Sequence, residues 1–178
     1  MNYYGGKEMA EAFRTVRRNT IQVAEDIPEE KYSFQATPET RTVAQTLVHI
    51  AYSPEFAFHV HGNKITDLST VNFPELFQKM TAQESKPRTK AEIIAVLRSE
   101  GERFASFLES LPDAFLAETL ATPPGGSPAT RTRFEMLLGA KEHEMHHRAQ
   151  LMVMERIVGV VPHLTLQRQA ALARAQRS

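Results

Sequence analysis

The chain has 178 residues, and at roughly 150 residues per domain a single domain spanning 1–178 is expected. It is 42% apolar and 24% charged, the make-up of a globular protein with a real core. Lys+Arg and Asp+Glu both number 21, which leaves no electrostatic footprint for nucleic acid or an anionic membrane, apart from a basic tail around Arg168, Arg174 and Arg177.

The opening MNYYGGKEMAEAF lacks a basic segment followed by an apolar run, so no signal peptide is expected. No stretch approaches the ~18 apolar residues of a spanning helix, and a cytoplasmic location is the expectation. Met9, Phe13, Val16, Thr20, Val23 and Ile27 step by three or four, predicting a first helix that Pro28 ends. A second helix opens after Pro38, with Thr42 and Gln45 placed as a capping box, and carries Val43, Leu47, Ile50 and Ala51. Pro54 is read as a kink rather than a stop, the helix continuing to His61. Residues 62–88 read as a long connection holding one short helix near Pro74–Met80. Thr89 and Glu92 open a third helix, with Ile93, Leu97, Phe104, Phe107, Leu108 and Leu111 inward and Pro112 closing it. The run ATPPGGSPAT (121–130) is a loop, because Pro and Gly cannot sustain a helix there. A fourth helix follows from about Thr132 to Ile157, and 163–178 reads as a tail or a weak amphipathic helix. The fold class is therefore all-α: a four-helix bundle with a long crossover connection.

Cysteine is absent, which excludes disulfides, thiolate ligands and a cysteine nucleophile, but seven histidines are present. His143 and His147 are four apart, so they project within ~40° of each other and ~6 Å apart along the axis, close enough to meet one metal ion. Met136, Ala140, Leu151 and Met154 share that face and turn it inward, whereas His146 faces away. Two core histidines satisfied by hydrogen bonds are the plain alternative. His49, a polar residue among Leu47, Val48 and Ile50, is the best third ligand. His59 and His61 sit near a helix end and read as solvated, and His163 has no assigned role.

His143–His147 also matches HExxH, with Glu144 as the general base of a zinc protease. Gln150 and Val153 stand where the longer form of that motif needs Gly and His, and Glu155 is too close on the same helix to serve as a distant ligand. Protease is rejected. Glu144 with His147 matches one ExxH of a di-iron bundle, but no other histidine has a carboxylate three residues before it.

Three stretches, IPEEKYSFQATPETRTVAQTLVHIA (27–51), EHEMHHRAQLMVM (142–154) and GVVP (159–162), resemble the DinB/YfiT-like family of bacterial metalloenzymes. The resemblance implies an antiparallel four-helix bundle with long-crossover topology, commonly a homodimer, holding one divalent metal on three histidines. Carried over residue by residue, the ligands are His49, His143 and His147. Gln150 fits the family's Gln, with Ala149 where Gly is frequent. Family members with assigned activity are S-transferases or isomerases that use a low-molecular-weight thiol.

The expected chemistry is thus that of a three-histidine site with open positions, zinc first and nickel, manganese or iron as alternatives, acting on a small-molecule substrate. A metal-dependent hydrolase and a non-catalytic metal-binding bundle are the rivals. Glu142 and Glu144 are placed as partners for imidazole N–H groups, against a plain solvated face bearing Glu142 and Arg148. Tyr52, three residues after His49, is a pocket candidate, with packing at a helix interface the plainer reading. Phe56, Phe73 and Phe77 offer an apolar substrate wall, but core packing is the expected role of each.

Overall fold

The computed structural model describes residues 4–176. α1 (Gly6–Asp26) begins where Glu8 reaches back to the Gly5 N–H at 2.9 Å, and its predicted face, Met9 through Ile27, is buried. α2 (Val43–Tyr52) starts at the predicted box: Thr42 Oγ1 accepts from the Gln45 N–H and Gln45 Oε1 from the Thr42 N–H, at 3.1 and 2.9 Å. Pro54 breaks α2 without ending the helical course. A short α3 (Glu55–Ala57) and a π-helical turn, Phe58–Gly62, carry it on, as the kink reading predicts.

The long connection carries α4 (Phe73–Glu84), a turn longer than the spacing suggests, with Asn72 Oδ1 accepting from the Glu75 N–H. α5 (Lys90–Glu109) has the Thr89–Glu92 box, and α6 (Asp113–Leu116) follows Pro112. The loop at 121–130 is flanked by two strands that the sequence does not predict, β1 (Thr119–Ala121) and β2 (Thr130–Thr132), paired antiparallel. Each is three residues long, too short for an alternating pattern to register. α7 (Arg133–Ile157) is capped by Thr132 and Glu135, and the tail forms α8 (His163–Ala175).

α1 packs on α5 and α7, and α2 packs on the same two helices. Side-chain pairs give the directions. Glu25 meets Arg98 while Arg14 meets Glu109, so α1 and α5 are antiparallel. Met9 and Phe13 share a cluster with Leu137, and Val23 and Ile27 share one with Leu151 and Met154, so α1 and α7 run the same way. Two helices thus point up and two down, and the connection holding α4 spans the bundle's length to join α2 to its parallel neighbour α5. One apolar cluster (Ile27, Leu47, Ile50, Leu97, Leu151 among others) fills the end where α2 begins, and a second (Phe13, Phe104, Leu108, Leu137) fills the other.

Between the two clusters lies a charged joint. Arg17, 3% exposed, donates from Nε and Nη2 to the Glu144 carboxylate at 2.9 Å, from Nη1 to Leu97 O at 2.7 Å, and from Nη2 to Ile50 O at 3.3 Å. Ile50 O lacks its helical donor because residue 54 is proline, so Arg17 and the Ser53 hydroxyl serve it instead. Gly101 makes the room, since a Cβ there would lie 2.7 Å from Arg17 Cγ. No helix among the described residues is long and apolar enough to cross a membrane.

Candidate metal centre

α2 and α7 run antiparallel, which brings the seventh residue of α2 opposite the middle of α7. His143 Nε2 lies 3.1 Å from His49 Nε2 and 3.1 Å from His147 Nε2. The three ligand atoms all fall within 4.8 Å of one another, and His49, His143 and His147 form the only such group of three or more among the described residues. The three histidines chosen from the spacing therefore meet.

The other ring nitrogens show which atoms face inward. Glu84 Oε1, from the end of α4, accepts from His49 Nδ1 at 2.8 Å, and Arg41 Nε holds Glu84 Oε2 at 2.6 Å. Gln150 sits 3.2 Å from His146 Nε2 through its amide nitrogen, so its Oε1 accepts from His147 Nδ1 at 2.8 Å. Protons on both Nδ1 atoms leave the Nε2 atoms of His49 and His147 as bare lone pairs. His143, whose Nδ1 is buried with no partner, can place a proton between at most one pair of them. Burial is the main cause that lowers the pKa of each ring: His143 to about 4, with His147 and His49 adding to it, and His49 and His147 below their ordinary value. All three are then neutral at pH 7, as ligands must be.

Three neutral imidazoles aiming lone pairs at one point repel unless a cation sits there. Tetrahedral zinc with Zn–N bonds of ~2.0–2.1 Å puts its nitrogens about 3.3 Å apart, close to the 3.1 Å here. The donor set fits a divalent ion, and Glu84 and Gln150 stand where outer partners fix ligand tautomers in metal centres of that kind.

Two cavities flank the cluster. One, of about 510 Å³, has an apolar wall that includes Phe56, Ala57, Phe77, Met80, Met136 and Ala140, with His49 and His143 at its edge. The other, of about 710 Å³, is more polar and holds Glu39, Gln45, His147 and Gln150. Arg41 and Glu84 line both.

The DinB family profile matches residues 1–176. The chain belongs to the DinB family. Two solved structures similar to it come from Bacillus subtilis. The DinB-like protein YjoA is 23% identical, with a TM-score of 0.59, covering 85% of this chain and 92% of its own. YfiT, described as a probable metal-dependent hydrolase with an unusual four-helix bundle topology, is 16% identical, with a TM-score of 0.67 and coverage of 90% and 91%. At these identities the likeness speaks for the fold. A search of curated proteins finds no significant match.

Several expectations for this DinB-family chain need correction. Glu144 is not a partner of the ligand imidazoles: one residue past His143 it turns ~100° around α7, where it is fully buried against Arg17. The same placement removes the HExxH reading, because the carboxylate points away from the cluster. Nor do Glu142 and Arg148 share a solvated face. Glu142 is exposed, but Arg148 is half-buried and donates to Val16 O at 3.3 Å. His61 is not solvated but 2% exposed, because the π-helical turn carries the segment under β1, where neighbouring Val60 packs with Leu120. Burial, then the Arg133 charge 3.3 Å away, lowers its pKa to about 4.

Phe77 is no core residue, being 49% exposed at the cavity, and Phe56 lines the same wall, while Phe73 stacks against both. Tyr52 packs at the helix interface under Arg88. Glu84 and Arg41 are the residues that sequence reasoning misses. Glu84 ends a helix in what reads as a connection, and nothing in its spacing ties it to His49.

Proposed function

We propose that this protein is a metal-dependent enzyme in which His49, His143 and His147 hold one divalent ion through Nε2 and a small molecule reacts beside it. The observation that carries this reading is the convergence of the three lone-pair-bearing nitrogens at a place where two cavities open. A structural metal would be enclosed by its ligands, whereas three ligands beside open space match catalytic sites. A bound divalent ion supplies a Lewis acid that lowers the pKa of a thiol or a water brought to it. Zinc is the first expectation for three imidazoles, with nickel, manganese or iron as alternatives.

The chain's own residues divide the remaining work. Glu84 and Gln150 hold His49 and His147 with Nε2 inward. The apolar cavity excludes water from one side, and the polar cavity admits a hydrophilic reactant from the other. This two-sided arrangement favours S-transfer from a low-molecular-weight thiol: a sulfur–carbon bond forms on an electrophile in the apolar cavity as its leaving group departs with the bonding pair, the thiol proton passing to solvent. Metal-dependent hydrolysis is the second reading, supported by the description of YfiT, and it uses the same histidines with water as the second reactant.

Metal content per chain, measured by elemental analysis of untagged protein purified without added metal, tests the centre. About one equivalent, lost in a His143→Ala/His147→Ala double variant, is expected; no metal and no tight uptake of zinc or nickel would refute the enzyme reading. Turnover of 1-chloro-2,4-dinitrobenzene with cysteine, against hydrolysis of 4-nitrophenyl acetate, separates the two reactions. The homodimer implied by the family resemblance belongs to the same proposal, and light scattering on the eluting protein checks it.

A further inference from the structure

The apolar cavity between α2, α4 and α7 has features that point to what occupies it. α4 turns Phe77, Met80, Thr81 and Glu84, one helical face by their spacing, toward this space. α4 packs on α2 and holds His49 and Arg41 through Glu84, but Phe77 on the same face stays 49% exposed at the cavity. Gly139 adds an independent sign. It lies inside α7, where glycine costs about 1 kcal/mol relative to alanine, yet a Cβ there would meet nothing within 4 Å. The glycine keeps the wall open where packing does not require it.

The polar groups at this cavity are mostly committed. His49 and His143 point their Nε2 atoms into the cluster, the Ser53 hydroxyl donates to Ile50 O, and Glu84 is held by His49 and Arg41. Arg41 is different. Its Nε is engaged by Glu84, but Nη1 and Nη2 make no hydrogen bond among the described residues, and the side chain is 40% exposed on the seam between the cavities. A guanidinium with two free donors beside an apolar wall complements a carboxylate on an apolar body. A cationic ligand would find no uncommitted carboxylate in this cavity.

We propose that the apolar cavity binds an amphiphilic monoanion, an aryl or alkyl carboxylate, with its hydrocarbon part against Phe56, Phe77 and Met80 and its acid group on Arg41 Nη1 and Nη2. That this ligand is a substrate rests on the metal-enzyme reading above; that it binds does not. Arg41 is thereby the residue that selects for the acid group, and Gly139 the one that sets the size of the hydrocarbon part.

The test is an NMR titration of the metal-free full chain with 4-phenylbutyrate and with the uncharged 4-phenylbutan-1-ol. The native protein should bind the acid about tenfold tighter, as expected for a charge-assisted hydrogen bond at a partly exposed site. Arg41→Gln should reduce the acid to the alcohol's affinity while leaving the alcohol unchanged. Gly139→Leu, which fills the cavity and improves helix propensity, should abolish binding of both without lowering the melting temperature. Equal binding of the two probes by the native protein, an acid preference that survives Arg41→Gln, binding that survives Gly139→Leu, or no binding of either probe would overturn the proposal. Because no metal is present, failure here is distinct from failure of the metal centre, which is read from zinc uptake alone.

Discussion

Glu84 lies outside the three-histidine cluster, and replacing it measures how far the centre depends on outer support. The Glu84 side chain is 8% exposed and its Oε1 is 2.8 Å from His49 Nδ1. A carboxylate there fixes the proton on Nδ1, orients the ring and makes Nε2 a stronger donor to metal. Removing such a partner typically lowers metal affinity 10–100-fold, which is about 1.4–2.7 kcal/mol. Glu84→Gln keeps a neutral acceptor for His49 but turns an amide N–H toward Arg41 Nε, so its loss should fall at the tenfold end. Glu84→Ala removes acceptor and counter-charge together and should reach the hundredfold end. Zinc affinity is read by competition with a chromophoric chelator at pH 7.5, with circular dichroism confirming the fold. If Glu84→Ala binds zinc as tightly as the native protein, the hydrogen bond has no part in holding the metal and the inward Nε2 assignment of His49 loses its support.

Other predictions address acidity and the core. Burial lowers the pKa of all three candidate ligands, so protons compete with metal only below the ordinary imidazole value of ~6.5. Zinc affinity should therefore stay level from pH 8 through 6.5 and fall at lower pH; a fall centred at 6.5 or above would contradict the buried geometry. Glu155 is fully buried, neither of its carboxylate oxygens has a partner, and burial, followed by the Asp26 charge, raises its pKa from 4.5 to about 7. The folded protein then keeps a proton that the unfolded chain has lost, so this group erodes stability as pH rises from 4.5 to 7 and no further above that. Glu155→Gln should gain on the order of 3 kcal/mol over the native protein at pH 8 and little at pH 4.5, measured by urea unfolding; parallel profiles would refute this. Arg17→Met leaves Glu144 buried without its partner and should destabilise the fold by roughly 3–5 kcal/mol, and a melting temperature within two degrees of native would be evidence against it.

The helices were legible because their signals are local. Thr42–Gln45 and Thr89–Glu92 each announce a start within four residues, and the period of apolar residues does the rest. The three histidines were legible for a related reason: an i,i+4 pair on an apolar face asks for partners, and His49 was the one histidine embedded in another such face. What escaped depends on the approach of segments distant in sequence. Glu84 meets His49 across 35 residues and Glu144 meets Arg17 across 127, and neither pairing leaves a trace in either neighbourhood. His61 escaped because a π-helical turn rotates residues off the period used to place them.

Arg17 lies inside the bundle on α1, a helix that lines neither cavity, yet its contacts fall beside the candidate ligands. It grips the carbonyl of Ile50, the residue after His49, and the carboxylate of Glu144, the residue after His143. One rigid planar group thus gauges the axial alignment of α2 against α7 at the level where the imidazoles converge. A slip of one helical residue, about 1.5 Å, would pull either grip out of hydrogen-bonding range. Loops at either end of the bundle can therefore change length or sequence without moving His49 relative to His143, whereas a substitution at position 17 or 101 would shift the spacing of the imidazoles without touching any of them.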